Sequence, residues 1–332
     1  MSSSRRSFLK SVAGASASLP LIGSTARSAE TTAMPMRKFG RHDEMLSVVG
    51  IGGHTLAFAK DKKEAERICH HAIDLGITFF DNAYVYHSGR SEEWMGHGLQ
   101  GKRDDVFLMT KVPIDTKPLP EGGKEDSMKM LEESLKRLKT DHLDLWMLHA
   151  IENEEEVEKA YAPGGVIEAF ELAKKQGKAR YIGFTGHTDP AAHVSIIEKG
   201  YPWDSTLMPV SGLGALSSRA FERDVMPLCV ENNISVLGMK GFGGSKRAHL
   251  HGKINVEEVV RYALSYPQVT SHCVGIDKDE YLEPLVAAAS KKPMSPAERS
   301  NFVTQLKANG GEQYAVYLDP NHVDGDDPNQ LA

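Results

Sequence analysis

The sequence predicts an α/β fold: a single-domain (β/α)8 barrel of the TIM type, behind an N-terminal export signal. Three observations carry this. Eight apolar, strand-like runs alternate with helical patterns from residue 46 onward. Glycines such as Gly76, Gly177 and Gly200 follow the helices, where they suit C-caps. No G-x-G-x-x-G follows the first strand, which counts against the competing doubly wound open sheet. Eight strand–helix units close naturally into a barrel.

The elements follow in order. Residues 36–49 suit a hairpin closing the barrel floor, and 46–51 read as the first strand. An amphipathic helix follows at 63–75. Strand 77–80 precedes a short helix at 92–99. Strand 106–110 precedes a helix at 124–138, whose Met128, Leu131, Leu135 and Leu138 recur at helical spacing. Strand 143–148 leads to helix 165–176, strand 179–183 to helix 190–199, and strand 205–208 to helix 221–232. Strand 234–239 leads to helix 256–265 and strand 269–274 to helix 278–290. A last helix is expected at 295–308, with Ser295 as N-cap and Glu298 three residues on. The barrel is expected at 34–310 and a loosely ordered acidic tail at 311–332.

Composition narrows the class. The chain has 332 residues, 40% apolar and 25% charged, which fits a soluble globular protein with a large core. Cys69, Cys229 and Cys273 lie far apart and form no C-x-x-C, so neither a metal nor an iron–sulfur cluster is signalled. They read as buried apolar fillers. Near the start, Ser4-Arg5-Arg6-Ser7-Phe8-Leu9-Lys10 places two arginines before an Ala/Ser/Gly-rich stretch. This looks like a twin-arginine signal, with residues 1–33 as signal and linker and a cut between Ala26 and Ala33. It implies the twin-arginine export machinery as a partner and a periplasmic location. The stretch is too short and too polar for a stable membrane span. Losing Arg5, Arg6, Lys10 and Arg27 would take the net charge from −6 to −10. So acidic a chain is a poor nucleic-acid binder.

The chemistry lies at the strand ends. Phe79-Phe80 closes on Asp81, with Tyr86 five residues further on. The run 106–110 closes on Lys111, and 143–148 closes on His149. Barrel active sites form at the C-terminal ends of the strands. A phenol has a reference pKa near 10, and a nearby ammonium lowers it by stabilising the phenolate. A carboxylate holds that ammonium charged, and an imidazole can orient a carbonyl oxygen. Together they make a proton donor for a carbonyl that receives hydride. Each also has an ordinary reading. Asp81 and Lys111 suit a structural ion pair, Tyr84 competes with Tyr86, and His149 is one of 14 histidines. His87, Trp94 and Trp146 read as packing residues ahead of pocket residues.

The constellation resembles the aldo-keto reductase superfamily. The matching residues are Gly76-Ile77-Thr78-Phe79-Phe80-Asp81-Asn82-Ala83 with Tyr86, and Ser91-Glu92-Glu93 with Gly96. They continue with Thr110-Lys111-Val112, Asp144-Leu145 leading to His149, and Gly177-Lys178-Ala179-Arg180-Tyr181-Ile182-Gly183. The likeness runs from residue 36 to 289. It implies Tyr86 as proton donor, Lys111 as its activator, Asp81 as the lysine's partner and His149 as the carbonyl orienter. It also implies a nicotinamide nucleotide, NADP ahead of NAD, bound across the barrel mouth without a Rossmann domain. The substrate implied is a small carbonyl or alcohol.

The cofactor side departs from that pattern. Gly52 and Gly53 keep the family's first turn. Where many members carry Ser-Asn, this chain has Thr185-Gly186; Leu207 replaces a glutamine, and Tyr281 stands where an arginine often holds a 2′-phosphate. Met239, Lys240 and Gly241 open a glycine-rich turn in which Lys240 suits a pyrophosphate. Asp277 and Lys278 follow the last strand with opposite charges. Three readings result: a carbonyl/alcohol oxidoreductase, an exported sugar-type dehydrogenase or isomerase that retains its cofactor, and a slow nucleotide-binding scaffold. Retention of all four residues favours an enzyme.

Overall fold

The computed structural model describes residues 33–114, 123–244, 254–315 and 317. The export signal, apart from Ala33, and most of the expected tail lie outside these residues. Strands β1 (Met36–Lys38) and β2 (Met45–Ser47) pair antiparallel. Eight further strands follow: β3 (Val49–Gly52), β4 (Phe79–Asp81), β5 (Phe107–Pro113), β6 (Leu143–His149), β7 (Ala179–Thr185), β8 (Ser205–Pro209), β9 (Ser235–Met239) and β10 (Val269–Gly275). They close into a parallel barrel in sequence order, with β10 pairing back onto β3. The predicted strand 46–51 therefore divides. Its first part belongs to the hairpin, and only Val49 onward enters the barrel.

Parallel strands covered on both faces read as continuous apolar runs. Every residue of β4, β5, β6 and β8 is buried. Alternate side chains split between two cores. Phe79, Phe107, Met109, Leu145, Met147, Leu207 and Leu237 fill the barrel. Phe80, Leu108, Trp146 and Leu148 face outward into the layer shared with the helices. Trp146 meets Phe170 edge-on, 4.8 Å between centroids, so packing is its role.

The helices follow the predicted pattern with three exceptions, the first a short unexpected helix after β3, Gly53–Leu56. Residues 221–232 form two pieces, Phe221–Asp224 and Met226–Glu231. Pro227 lacks an N–H and clashes with the turn before it, so the helix restarts with the proline in its first turn. The expected loop after β6 contains a helix, Glu154–Tyr161. The Asn153 side chain accepts from Glu156 N at 3.0 Å and caps it. Helix Pro296–Ala308 starts from the expected capping box of Ser295 and Glu298. Gly76, Gly177 and Gly200 have φ of 85°, 73° and 75°, as C-caps require. Among the described residues no helix is long and apolar enough to cross a membrane.

The hairpin seals the floor. Phe39 is fully buried and packs against Phe107 and Tyr181, with centroids 5.1 and 5.2 Å apart. Arg37 donates to the carbonyls of Leu264, Tyr266 and Val269 at 2.8, 3.0 and 2.6 Å. Asp144 accepts from Leu108 N, Arg180 and Arg103 at 2.9, 2.7 and 2.8 Å. Asp204 accepts from Ile182 N and Arg41 at 2.9 and 2.6 Å, and His42 Nε2 lies 2.7 Å away.

Candidate active site

The opposite end of the barrel brings the four predicted side chains together. Asp81 ends β4 and His149 ends β6. Lys111 does not end its strand as expected. It is followed by Val112 and Pro113, and β5 continues because Pro113 still pairs with His149. The ammonium is thus drawn below the rim, and Lys111 is 1% exposed. After β4 the chain keeps bonding to β5, with Asn82 N on Met109 O at 3.0 Å and Tyr84 N on Lys111 O at 3.1 Å. That path carries Tyr86 back over Lys111.

The ammonium has three acceptors. Nζ donates to the Asp81 carboxylate, to Asn82 O at 2.7 Å and to the Tyr86 hydroxyl at 3.1 Å. It also lies 4.7 Å from the Tyr86 ring centroid. Burial pushes the Asp81 carboxyl upward, and the Lys111 ammonium opposes that shift. The His149 and His54 rings both meet Tyr86 edge-on, at 5.6 and 5.2 Å. Tyr86 itself is half-buried. A phenol held by an ammonium at an open edge can give up its proton to an incoming oxygen.

Tyr84, the competing phenol, has a partner of its own. The Tyr84 hydroxyl donates to Glu133 Oε2 at 2.6 Å, so it points to the helix Lys124–Leu138. Arg137, from that helix, donates to Tyr84 O at 3.2 Å and to buried Glu92 at 3.1 Å. Thr110 Oγ1 donates to Glu92 at 2.6 Å, next to Lys111 in β5. Ser91 Oγ donates to Gly53 O at 2.6 Å. A Cβ at Gly96 would lie 2.4 Å from Arg137 O, so only glycine lets these helices approach. The quoted Ser91-Glu92 and Gly96 thus brace the turn that holds Tyr86.

One thiol escaped the sequence reading. Cys69 and Cys229 are buried as expected, but Cys273 is half-buried on β10 and faces the site. Its Sγ donates to Asp81 Oδ2 across 3.5 Å. Burial first, then the Asp81 charge, push the thiol well above its usual range, so it keeps its proton. Cys273 is therefore a partner of the carboxylate and not merely an apolar filler. Alternation along β10 was the available signal: Cys273 pairs with Gly50, and a Cβ at Gly52 would lie 3.3 Å from its Sγ. His54 and Phe58 were also missed; they follow β3 and carried no motif.

The expected cofactor residues divide. Gly53 is required by packing, since a Cβ there would lie 2.4 Å from Asp81 O. Gly52 would bring one to 3.3 Å from Cys273 Sγ. Thr185 ends β7 and is buried. A Cβ at Gly186 would lie 2.3 Å from Ile151 O, so this glycine admits the loop after β6. Met239 ends β9, and Lys240 follows with φ 60°. Lys240 Nζ lies over Gly244, 3.5 Å from where a Cβ would be, and Gly243 N bonds to Lys240 O at 2.9 Å. A cation folded over consecutive positive-φ glycines fits a phosphate group. Gly241 is held against Val259 and His272. Lys278 is exposed, 3.7 Å from Glu280 and 5.6 Å from the Tyr281 ring. Asp277 precedes it, half-buried.

Comparison with known proteins bears on the family and the fold. The Aldo/keto reductase family profile matches residues 48–248. An uncharacterised oxidoreductase of Bacillus subtilis, YqkF, is 29% identical over 303 residues, covering 80% of this chain and 94% of its own. The aldo-keto reductase yakc [NADP(+)] of Schizosaccharomyces pombe is 30% identical over 214 residues, 61% of this chain and 60% of its own. The solved holo form of aldo-keto reductase AKR11C1 from Bacillus halodurans superposes with TM-score 0.67 at 24% identity, covering 82% of this chain and 96% of that one.

Proposed function

Because the chain belongs to the aldo/keto reductase family, we propose that it interconverts a small-molecule carbonyl and its alcohol with Tyr86 as proton donor. Family membership makes it an oxidoreductase. The observation that carries the residue assignment is Lys111 Nζ bridging the Asp81 carboxylate and the Tyr86 hydroxyl. In this reading Lys111 favours the phenolate that remains after proton transfer, and Asp81 holds the lysine in place. Cys273 and Asn82 complete their hydrogen bonding. His149, edge-on to Tyr86, orients the carbonyl oxygen. A bound nicotinamide nucleotide supplies the hydride.

The glycine turn with Lys240 would hold the nucleotide's pyrophosphate, with Thr185, Asp277 and Lys278 around it. NADP is placed ahead of NAD, which the name of the S. pombe relative supports. The test is oxidation of NADPH and of NADH by the purified protein against a panel of aldehydes and ketones. Wild type should turn over, and Tyr86→Phe should bind nucleotide yet fail to react. A Tyr86→Phe variant with wild-type turnover would remove Tyr86 from the role.

Export through the twin-arginine pathway is part of the proposal and rests on Arg5-Arg6 and the small residues after them. It favours a second reading, in which the nucleotide stays bound and is recycled on a sugar-type substrate. Mass spectrometry of the mature protein decides both. An intact N-terminus in native extracts would refute export, and absence of any co-purifying nucleotide would refute retention.

A further inference from the structure

The turn that carries Tyr86 continues through backbone that side chains rarely adopt. His87 has φ 51° and ψ 43°, Ser88 has φ 54° and ψ 37°, and Gly89 has φ 89°. Only the glycine does so without steric cost. Non-glycine residues persist in such conformations where their surroundings over-determine them.

What surrounds His87 is specific. Its Nε2 lies 2.9 Å from the His54 carbonyl oxygen. A carbonyl only accepts, so Nε2 carries a hydrogen and donates it. The ring meets Phe58 edge-on, 4.4 Å between centroids at 84°, and lies 4.8 Å from the His54 ring. These contacts cross from the turn after β4 to the segment after β3. That segment sets the His54 ring at 88° to Tyr86. Glycine would take the same backbone without strain, so the imidazole accounts for a histidine here.

We propose that His87 is a positioning residue: its imidazole ties the turn bearing Tyr86 to the segment bearing His54 and so sets where the Tyr86 hydroxyl points during proton transfer. The proposal rests on the reading of Tyr86 as proton donor. His54, Phe58 and His87 then form one rigid wall beside the phenol, and the left-handed backbone aims His87 at that wall while Tyr86 stays over Lys111.

The test compares His87→Gly, His87→Ala and His87→Asn with wild type, using NADPH and 4-nitrobenzaldehyde. In His87→Gly, kcat should fall by about tenfold or more, since small misplacements of reacting groups are costly. Its NADPH Kd should stay within about twofold, because the imidazole is assigned no contact with the nucleotide. Its denaturation midpoint should be no lower than that of His87→Ala. The solvent deuterium isotope effect on kcat should rise, which a merely structural role would not produce. Asparagine tolerates left-handed backbone and carries an amide donor, so His87→Asn should recover part of kcat. Wild-type kcat and isotope effect in His87→Gly would overturn the proposal. If wild type is inert with either nucleotide against every carbonyl tried, the proton-donor reading fails first. The tie is then judged by imidazole nitrogen NMR, where a hydrogen on Nδ1 alone would refute it.

Discussion

The two ends of this barrel are built from the same strands and held by different means. At the floor, Asp144 and Asp204 each accept a backbone N–H and at least one arginine, and Phe39 plugs the opening. At the mouth, one buried carboxylate faces one buried ammonium, and the backbone is forced. Among the described residues six non-glycine residues have positive φ. Four of them, His87, Ser88, Ala150 and Lys240, follow β4, β6 and β9 at the mouth. The other two, Lys139 and Asn233, end helices, where such a conformation is ordinary. Strained residues cost of order 1–3 kcal/mol each. The floor and the two apolar layers supply stability that the mouth spends on geometry.

This contrast separates chemistry from stability, and substitutions can break or sharpen it. The largest effect is expected at the mouth. Tyr86→Phe should lower kcat by about 10²–10⁴-fold, the range of a lost general acid. Its thermal unfolding should match wild type, because the ring stays and only a half-buried hydroxyl goes. A matching loss of stability would mean that the phenol is a structural group.

Next comes the floor. Phe39→Ala should destabilise the fold by about 3–5 kcal/mol in chemical denaturation, through lost burial and the cavity left behind. Turnover at moderate temperature should remain near wild type. A kinetic defect larger than the loss of folded protein would show that the ends are coupled.

A third expectation concerns acid. His193 and His272 are fully buried, and burial lowers their pKa to about 3 and about 4. Unfolded, both titrate near their ordinary value of 6.5. Below that pH the unfolded chain binds protons that the folded chain refuses. Stability should therefore be full above about pH 6.5 and fall by roughly 3 kcal/mol or more as pH drops toward 4. Unfolding free energies measured from pH 7 to 4 check this, and His193→Leu with His272→Leu should flatten the slope.

The smallest effect is expected at Cys273. Its 3.5 Å hydrogen bond to Asp81 is long and made by a weak donor. Cys273→Ala should lower kcat by roughly threefold, about 0.7 kcal/mol of transition-state stabilisation. Cys273→Ser, which retains a donor, should recover it. Equal activity in all three would reduce Cys273 to a spectator.

Much of the architecture could be read from the chain. The strand–helix alternation, the C-cap glycines and the Ser295 capping box each have a local cause, and all appear as read. The four polar residues at or near strand ends were legible because a barrel sends such residues to one rim. What was illegible lay in local breaks and caps that the apolar pattern hides, or in partners distant in sequence. Pro227 splits a helix that periodicity joins, and Asn153 starts one in a stretch that looked like loop. Lys111 falls short of its strand's end because Pro113 still finds His149 as a partner. Cys273 and His54 join the mouth through β10 and β3, far from the Asp81–Tyr86 motif in sequence. The glycines Gly53 and Gly186 suggested a cofactor site; that a Cβ at either would also strike backbone, at Asp81 O or Ile151 O, needed the fold to see.

Closure of the barrel has a consequence for how the chain is made. The guanidinium of Arg37 grips carbonyls 227 to 232 positions later, and β3 finds its second neighbour only in β10. A nascent chain stopped anywhere before residue 269 keeps an open sheet with two unsatisfied margins. Contacts so distant in sequence make the final sealing step slow and hold it back until β10 has been made.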